Sequence, residues 1–413
     1  MSTYYKDPVT GEVIFRIASP RVTFEKSDGT IQALDLSGGG TLRNIATRCR
    51  TCNQNSASYT QMNSRTLHIN RGSSLNKLQI VFPNWFASVT SENNFVTAAT
   101  ITAAIEYPEG VFHQVTFSGS ASGSIPAGSN LVSDEVWVGI PKHATFWVRS
   151  YFVNASGVYT SPNNVMATTG NAGEYCMAVA SGGVDYTMTA GATNSPPFTG
   201  AAYYPVAIIG ISNVPSVCCV GDSRTSGQGD DSTTDGSMYN IGEIGRSIGR
   251  YLPYTLVATP GDKLLDFNTR LTKRSALATY HTHVHIGYGI NDLGNGASAK
   301  AVQNGLAFLY TKFPGKKITQ STLSPQTASS DGWTTQVGQT QVTSSQARLL
   351  VNTWIRSQPA PLVAVFDIAK ALQYSADQLR WKFPGYTADG THATPLGYKE
   401  IISSGFVDVS KIL

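Results

Sequence analysis

Charged residues are scarce in this chain. Asp, Glu, Lys and Arg make up only 14% of its 413 residues, against about 25% in an average soluble protein. The 30 basic and 26 acidic residues leave a net charge of +4, without the clustered basic stripe of a nucleic-acid-binding protein, so no nucleic-acid partner is expected. Hydrophobic residues reach 41% and aromatic residues 10%, which excludes a disordered chain and suffices for packed cores.

Long apolar segments are also missing. The most apolar segment, 201–211, is interrupted by Tyr203, Tyr204 and Pro205 and falls short of the roughly 18 apolar residues that a membrane-spanning helix needs, so no membrane partner is expected. Residues 1–16 hold charges and a proline instead of the apolar stretch of a secretory signal peptide, so none is expected. Localisation stays open, with an extracellular or a virion-associated protein as the candidates.

Cysteine is too sparse for a disulfide framework, since the count is five and odd. Cys218 and Cys219 are adjacent in an apolar run and are expected to be small buried hydrophobic residues. Cys49 and Cys52 form a CxxC motif, but no second CxxC or His pair follows at the spacing of a zinc site. Three histidines alternate over 281–285 on a predicted strand, which favours packing over metal binding. No metal and no cofactor are expected.

Helical periodicity is almost absent before residue 210. Short alternating or apolar runs bounded by Gly, Ser, Asn and Pro predict the strands of an antiparallel, all-β sandwich. We assign this sandwich to residues 71–211. Residues 1–70 are an arm or the first strands, because the stretch 37–75 is too rich in Gly, Ser, Asn and Thr for the pattern to decide.

After residue 212 the pattern changes to strand, loop and helix in repetition. Strands are predicted at 214–220, 254–258, 283–288, 317–323 and 362–366, and helices at 238–252, near 298–313, near 344–356 and from Thr394 onwards. Five strands alternating with helices predict an α/β fold over 212–413, a flavodoxin-like domain with a five-stranded parallel sheet. Chemistry in such sheets lies beyond the carboxyl ends of the strands.

Three polar motifs occupy these positions. Gly-Asp-Ser at 221–223 follows the first strand, Gly-Ile-Asn-Asp at 289–292 follows the third, and Asp-Gly-Thr-His at 389–392 precedes the last helix. Each motif alone would be a weak signal. Because the predicted fold brings all three to one rim of the sheet, together they indicate a functional site.

These motifs resemble the SGNH hydrolase superfamily, also called the GDSL esterase/lipase family, over about 213–413. The first block matches 220–223, although Arg224 stands where many members have Leu, and the second block is matched by Gly261. The third and fifth blocks are matched by 289–292 and 389–392. The resemblance does not cover the first half, but a jelly-roll-like domain ahead of an SGNH domain resembles some carbohydrate esterases and phage tail-associated esterases.

The residue types suit a serine esterase. Ser223 needs a base to become a nucleophile, and His392 titrates near neutral pH and can accept and return a proton. Asp389, three residues before the histidine, can orient the ring and stabilise its charged form. The N–H groups of Ser223 and Gly261 and the side-chain amide of Asn291 are the candidate oxyanion hole.

The expected function is hydrolysis of short acyl esters, O-acetyl groups above all, on a carbohydrate. Loops near the predicted site, including 324–338, are polar and no apolar lid is evident, which disfavours long-chain lipid. Trp85, Trp137 and Trp147 would suit a sandwich that grips polysaccharide, or are core residues. The alternative is a glycan-binding virion or surface adhesin with a vestigial hydrolase domain. Acyl transfer, a homo-oligomer and a virion assembly stay open, and the expected partner is an acylated glycan or a small ester.

Overall fold

The computed structural model describes residues 40–89, 91–161, 173–190, 202–231, 238–270 and 272–413, together with four strands nearer the amino terminus. These four strands pair antiparallel in chain order. They are β1 (Thr3–Lys6), β2 (Val13–Ala18), β3 (Arg21–Glu25) and β4 (Ile31–Asp35). The boundary at residue 70 between an arm and a sandwich stays a prediction.

Residues 40–212, which we call the β-rich half, form two antiparallel sheets. The six strands of the first sheet are β8 (Gln61–Ile69), β12 (Ala99–Glu106), β13 (Phe112–Gln114), β14 (Ser122–Ile125), β17 (Thr145–Val153) and β19 (Tyr175–Val179). The five strands of the second are β5 (Thr41–Asn44), β9 (Leu75–Pro83), β15 (Asn130–Val132), β16 (Val136–Ile140) and β20 (Ala207–Ser212). Two short pairs join β7 (Gln54–Ser56) to β18 (Val158–Thr160) and β10 (Phe86–Ala87) to β11 (Glu92–Asn93). The strand-rich first half is confirmed, and the jelly-roll topology stays a prediction.

The core of the β-rich half follows from the two-residue period of its strands. In β16 the side chains of Val136, Val138 and Ile140 are buried, while Trp137 between them points outward and is 69% exposed. Apolar residues of both sheets contribute in the same way to one buried cluster. The cluster continues into residues 213–413, for example at Val217, so its burial stabilises both parts of the chain.

Residues 213–413, which we call the α/β half, are built on a parallel sheet in the order β27-β24-β23-β21-β22-β6. Its strands from this half are β21 (Val217–Gly221), β22 (Tyr254–Ala258), β23 (His283–Gly287), β24 (Lys317–Ser321) and β27 (Leu362–Phe366). Two antiparallel hairpins, β25 (Thr327–Ser329) with β26 (Gln339–Gln341) and β28 (Gln373–Tyr374) with β29 (Asp377–Trp381), lie in its loops.

The predicted count of five strands in this sheet is wrong, because the sheet has six. The additional strand, β6 (Cys49–Arg50), comes from the β-rich half and pairs parallel to β22, with Cys49 opposite Thr255 and Arg50 opposite Leu256. A two-residue strand has too few positions to show a period, so no pattern in the sequence indicated it. The two halves therefore share one hydrogen-bonded sheet.

Helices cover the sheet and follow its strands along the chain. They are α1 (Ser223–Ser226), α2 (Gly245–Ile248), α3 (Leu264–Phe267), α4 (Lys273–Ala276), α5 (Ile290–Gly294), α6 (Ala299–Tyr310), α7 (Ser345–Arg356), α8 (Ile368–Leu372) and α9 (Pro395–Ser403), with 3-10 helices at Leu277–Tyr280 and Val409–Lys411. The chain steps from β21 to β22 on one side and continues through β23, β24 and β27 on the other. This reversal beside β21 is the place where open parallel sheets bind ligands.

Among the described residues, none of the helices combines the length and the apolar character that are needed to cross a membrane.

Candidate active site

Ser223 stands on a tight turn between β21 and α1. The Asp222 side chain accepts a hydrogen bond from the Arg224 N–H (3.0 Å) and so caps the helix that begins at Ser223. Only glycine fits at 221, since a Cβ there would lie 2.0 Å from Thr225 Oγ1. The glycine and the cap together place the serine at the carboxyl end of the central strand.

Ser223, His392 and Asp389 form one continuous hydrogen-bonded chain. His392 Nε2 lies 2.8 Å from Ser223 Oγ, and His392 Nδ1 lies 2.6 Å from Asp389 Oδ2. The other Asp389 oxygen, Oδ1, accepts the backbone N–H groups of Thr391 (2.8 Å) and His392 (2.7 Å). These bonds hold the carboxylate in place, so that it fixes the orientation of the ring.

The electrostatics suit a neutral histidine beside an ionised carboxylate. Burial lowers the pKa of His392 below 6.5; the Asp389 carboxylate raises it in part, and the Arg224 charge lowers it again. Burial raises the pKa of Asp389, but the hydrogen bonds from His392 and Thr391 outweigh burial and leave that pKa below its usual value. At neutral pH the Nδ1–H therefore points to the aspartate, and Nε2 is free to accept the serine proton.

Gly261 and Asn291 follow the two strands that flank β21: Gly261 lies in the loop after β22, and Asn291 lies in the first turn of α5 after β23. Gly261 has a φ of +79°, a left-handed conformation that favours glycine. Asn291 Nδ2 donates to the carbonyl oxygen of Asp262 (2.8 Å), which ties the two loops together and leaves the second amide hydrogen for another acceptor. Within the described residues, the N–H groups of Ser223 and Gly261 have no hydrogen-bond acceptor.

Arg224 is a residue of the candidate site that the sequence patterns did not assign. Its buried guanidinium donates from Nε to the carbonyl oxygen of Thr391 (3.2 Å), next to His392, and more weakly to the carbonyl oxygens of Ser324 and Pro325 (3.4 Å each). One side chain thus connects the serine turn to the histidine loop. The replacement of the usual leucine by arginine was the available signal.

Two buried carboxyl groups surround this arginine. Burial raises the pKa of Asp222 to about 7, against the lowering effect of the Arg224 charge. Burial also raises the pKa of Glu243 to about 6, again opposed by Arg224. Glu243 accepts a hydrogen bond from Ser324 Oγ (3.3 Å), so it belongs to the same cluster beneath the serine turn. Perturbed carboxyl groups of this kind concentrate at functional sites.

The β-rich half reaches the site through the loop between β10 and β11. The Val89 side chain lies 3.4 Å from the position of a Cβ on Gly261, so it borders the candidate oxyanion hole. Glu92 Oε1 accepts hydrogen bonds from Arg274 N (3.1 Å) and Nε (3.2 Å), and Arg274 in turn contacts Asp262, 2.5 Å away. No sequence pattern indicated this long-range contact.

The aromatic ring of Trp333 also lies beside the candidate site, and no sequence pattern indicated it. Its indole N–H donates to Thr327 Oγ1 (3.0 Å), and a Cβ on Gly390 would lie 2.8 Å from its ring. The ring therefore packs against the residue that follows Asp389. The ring is partly exposed next to the loop that carries Asp389 and His392.

The described residues contain no group of three or more His, Cys, Asp and Glu side chains arranged to hold a metal ion. Both ring nitrogens of His281 and of His285 have hydrogen-bond partners, and burial lowers the pKa of each ring to about 3. These two histidines are packing residues. His283 differs, since its Nε2 is buried without a partner.

Comparison with known proteins assigns the family of the α/β half. Residues 219–400 match the GDSL-like Lipase/Acylhydrolase family. The range contains Ser223, Gly261, Asn291, Asp389 and His392, so the predicted family is confirmed for this region. The match supports an ester hydrolase. No curated protein matches the chain.

Two solved structures illustrate the similarity. A GDSL-like lipase from Bacteroides thetaiotaomicron is 16% identical, with 48% of this chain and 89% of that chain covered and a TM-score of 0.36. A member of the lipolytic protein G-D-S-L family from Veillonella parvula is also 16% identical, with 47% of this chain and 98% of that chain covered and a TM-score of 0.34.

Proposed function

We propose that this protein is a serine esterase that removes short acyl groups, O-acetyl groups above all, from a carbohydrate. The observation that carries the proposal is the chain of hydrogen bonds from Ser223 Oγ through the His392 ring to Asp389. It lies at the carboxyl end of the central strand, in a region that matches an acylhydrolase family.

The reaction starts with attack of Ser223 Oγ on the ester carbonyl carbon, while His392 Nε2 takes the hydroxyl proton. The charge that develops on the carbonyl oxygen meets the N–H groups of Ser223 and Gly261 and the amide of Asn291. His392 then returns the proton to the leaving alcohol, and the acyl group stays on the serine. A water molecule, activated by the same histidine, repeats the sequence and releases the acid.

A small acyl group is supported by the surroundings of Gly261. The Val89 side chain occupies the space beside this glycine and narrows the region that the acyl chain would enter. The loop between β25 and β26 carries mainly polar side chains, and in it the hydroxyl groups of Thr334 and Thr335 both donate hydrogen bonds to Asp331. A long alkyl chain would find little apolar surface there.

A carbohydrate as the group that carries the ester is supported by two partly or fully exposed tryptophans. Trp333 borders the site, and Trp137 on the β-rich half is exposed, whereas Trp85 and Trp147 are buried. Aromatic rings offer flat apolar faces together with a polar N–H, a combination that suits sugar rings.

The test compares wild type, Ser223→Ala and Ser247→Ala. Ser247 is a matched control because its hydroxyl is buried without a partner and lies outside the site. We expect a fluorophosphonate probe to label wild type and Ser247→Ala but not Ser223→Ala, and we expect acetate release from p-nitrophenyl acetate to fall by about 10⁴-fold or more in Ser223→Ala.

Substrate class is tested with acetylated xylan, a sialoglycan and bacterial capsule, with released acetate as the measurement. Cleavage of long-chain esters without acetate release from any glycan would contradict the carbohydrate proposal. Equal labelling of wild type and Ser223→Ala would contradict the nucleophile assignment. Glycan binding without labelling would favour the adhesin alternative.

A further inference from the structure

A second cleft opens at the other end of the parallel sheet. It has a volume of about 570 Å³ and is lined by residues at the start of β23 and β24 and by β5 of the β-rich half. Ser223 follows the carboxyl end of β21, so the two sites lie on opposite rims of the sheet. This second site is independent of the ester hydrolase function.

The cleft is positively charged. Arg43, Lys316 and Lys317 line it, and no carboxylate is among its described lining residues. The Arg43 guanidinium donates to Thr41 Oγ1 (3.1 Å) and to the Val214 carbonyl oxygen (3.3 Å), and Lys316 Nζ donates to the His281 carbonyl oxygen. All of these acceptors are neutral, so the partners fix the two cations in place without balancing their charge.

The surroundings of Arg43 and Lys316 disfavour the charged forms of both side chains. Burial lowers the pKa of Arg43. Burial also lowers the pKa of Lys316, and the charge of Arg43 contributes in the same direction. A bound anion would relieve both effects, because it replaces lost solvation and offsets the repulsion between the cations.

His283 supplies the second, independent observation. The residue is 2% exposed, and its Nε2 has no hydrogen-bond partner. Its Nδ1 lies 2.9 Å from Thr282 Oγ1, which already donates its own hydrogen to the carbonyl oxygen of Ser216 and accepts the Ser216 N–H. Thr282 Oγ1 can only accept from the ring, so Nδ1 carries a hydrogen and the neutral ring leaves Nε2 as an unpaired acceptor.

A ligand of this cleft has to form a hydrogen bond with the unpaired Nε2 of His283 and also carry negative charge for the three cations. Burial lowers the pKa of His283 to about 4, and Lys317 and Arg43 lower it too. Hydrogen phosphate can donate its own hydrogen to the neutral Nε2 while its oxygens accept from the cations. A fully ionised oxyanion can instead accept a hydrogen from Nε2 after the ring has taken a proton from water.

We propose that this cleft binds a doubly charged tetrahedral oxyanion, a phosphate or sulfate group, between Arg43, Lys316, Lys317 and Nε2 of His283. Arginine suits the planar fork of two oxyanion oxygens and lysine acts as a point charge. The volume lies in the range of about 300–1,000 Å³ that is usual for small-molecule sites. The phosphate or sulfate group is either a free ion or part of a sugar derivative, and the experiment below distinguishes these two sources.

Calorimetric titration of the full chain with inorganic phosphate and with sulfate tests the proposal. The variants are Lys317→Gln, Lys316→Gln and the matched control Lys312→Gln, whose exposed lysine packs over Phe308 outside the cleft. We expect both anions to bind wild type and Lys312→Gln equally. We expect Lys317→Gln to bind about threefold and Lys316→Gln about tenfold more weakly, since Lys316 is the more buried of the two.

The Lys317 side chain is exposed and makes no hydrogen bond or ion pair within the described residues, so Lys317→Gln is expected to fold, and its thermal unfolding is checked against the control. Glucose 6-phosphate, inorganic phosphate and glucose are compared in the same way. Tighter binding of glucose 6-phosphate than of phosphate indicates a sugar-borne group, and equal or weaker binding indicates the free ion. Absence of phosphate and sulfate binding at 10 mM, or equal binding by all variants, would overturn the proposal.

Sulfate affinity is also measured from pH 7 to pH 5, where sulfate does not titrate. We expect it to rise as pH falls, because the bound anion stabilises the protonated ring of His283. The cations that line the cleft with this ring are Arg43, Lys316 and Lys317, and His281, with a pKa of about 3, stays neutral over this range. Loss of this rise in His283→Asn, with Lys312→Gln unchanged, identifies the ring, and a pH-independent affinity would contradict its role.

Discussion

In the β-rich half, the Glu106 carboxylate lies between two arginines, 2.8 Å from Arg65 Nε and 2.6 Å from Arg149 Nε. In the α/β half, Asp222 and Glu243 are also buried beside an arginine, Arg224, but that guanidinium donates to carbonyl oxygens instead. Burial alone raises the pKa of all three carboxyl groups. The two arginines bring that of Glu106 down to about 2, whereas those of Asp222 and Glu243 rise to about 7 and about 6.

This difference distinguishes a carboxylate that has a structural role from carboxyl groups that lie beside the candidate active site. Glu106 with its two arginines cross-links strands β8, β12 and β17 of one sheet, where a fully paired carboxylate holds a fixed geometry. Next to Ser223, Asp222 and Glu243 have no direct ionic partner among the described residues, and raised pKa values such as theirs are common at functional sites. Variants in each half should therefore fail in different ways.

The largest expected effect is on stability, from Glu106→Gln. Removing the carboxylate from a buried ion pair is strongly destabilising, even though Arg65 still pairs with the exposed Glu109, so we expect the free energy of unfolding to fall by about 3–5 kcal/mol in urea denaturation. Glu109→Gln is the control, because that side chain is 70% exposed and also pairs with Arg65, and we expect a loss of at most about 1 kcal/mol. An equal loss of unfolding free energy in the two variants would contradict a structural role of the buried Glu106.

Asn291→Ala should instead affect the rate. If the amide stabilises the oxyanion, kcat on p-nitrophenyl acetate falls by about 10²–10³-fold, while the urea midpoint stays close to that of wild type. Asn295→Ala is the control, since this exposed side chain at the C-terminal end of the same helix donates to the Asn291 carbonyl oxygen (2.7 Å). A fall in KM and kcat of similar size in both variants would argue for a purely structural role.

The pH dependence of stability should have opposite signs in the two halves. The pKa of Glu243 is raised from 4.5 to about 6, so its destabilising effect is absent below pH 4.5 and complete above pH 6. Glu243→Gln keeps an oxygen for Ser324 and should gain up to about 2 kcal/mol over wild type at pH 8, but not at pH 4.5. The pKa of Glu106 is lowered to about 2, so its contribution is present above pH 4.5 and is lost as pH falls through 2.

Urea denaturation of wild type, Glu243→Gln and Glu106→Gln at pH 4.5 and pH 8 measures these contributions. A difference between Glu243→Gln and wild type that is the same at both pH values would show that ionisation of Glu243 costs nothing in the folded protein. The loss in Glu106→Gln should be nearly constant between these two pH values.

The smallest expected effect comes from a residue of the β-rich half that lies beside the candidate active site of the α/β half. Val89→Ala should enlarge the space beside Gly261 and raise the ratio of kcat/KM for p-nitrophenyl hexanoate to that for the acetate by about threefold to tenfold. The control is Val96→Ala, because that valine is 89% exposed. An unchanged ratio would mean that the β-rich half does not influence the choice of acyl group.

The sequence was informative where a constraint is local. The positions of the five C-terminal strands and of the motifs at 221–223, 289–292 and 389–392 follow from strand-sized apolar runs and from the residues that end them. Gly221 illustrates the reason, since its neighbours leave no room for a side chain. The family of this region was predictable for the same reason.

Long-range contacts were not predictable. The strand β6, the contact of Val89 with Gly261 and the bonds from Arg224 to the histidine loop join residues more than a hundred positions apart, and no periodicity reports such pairs. The predicted helix over 238–252 is reduced to Gly245–Ile248. Met238, Tyr239 and Gly242 have positive φ values, which a right-handed helix does not allow.

The two-residue strand β6 has a consequence for anyone who wishes to excise the α/β half as a module. A fragment of residues 212–413 would lose Cys49 and Arg50, and the backbone of Tyr254–Ala258 would become an open sheet edge. An uncovered edge is a template for pairing with other copies, so such a fragment invites aggregation. A shorter esterase from this chain would need a transplanted segment over that edge before its activity could be judged.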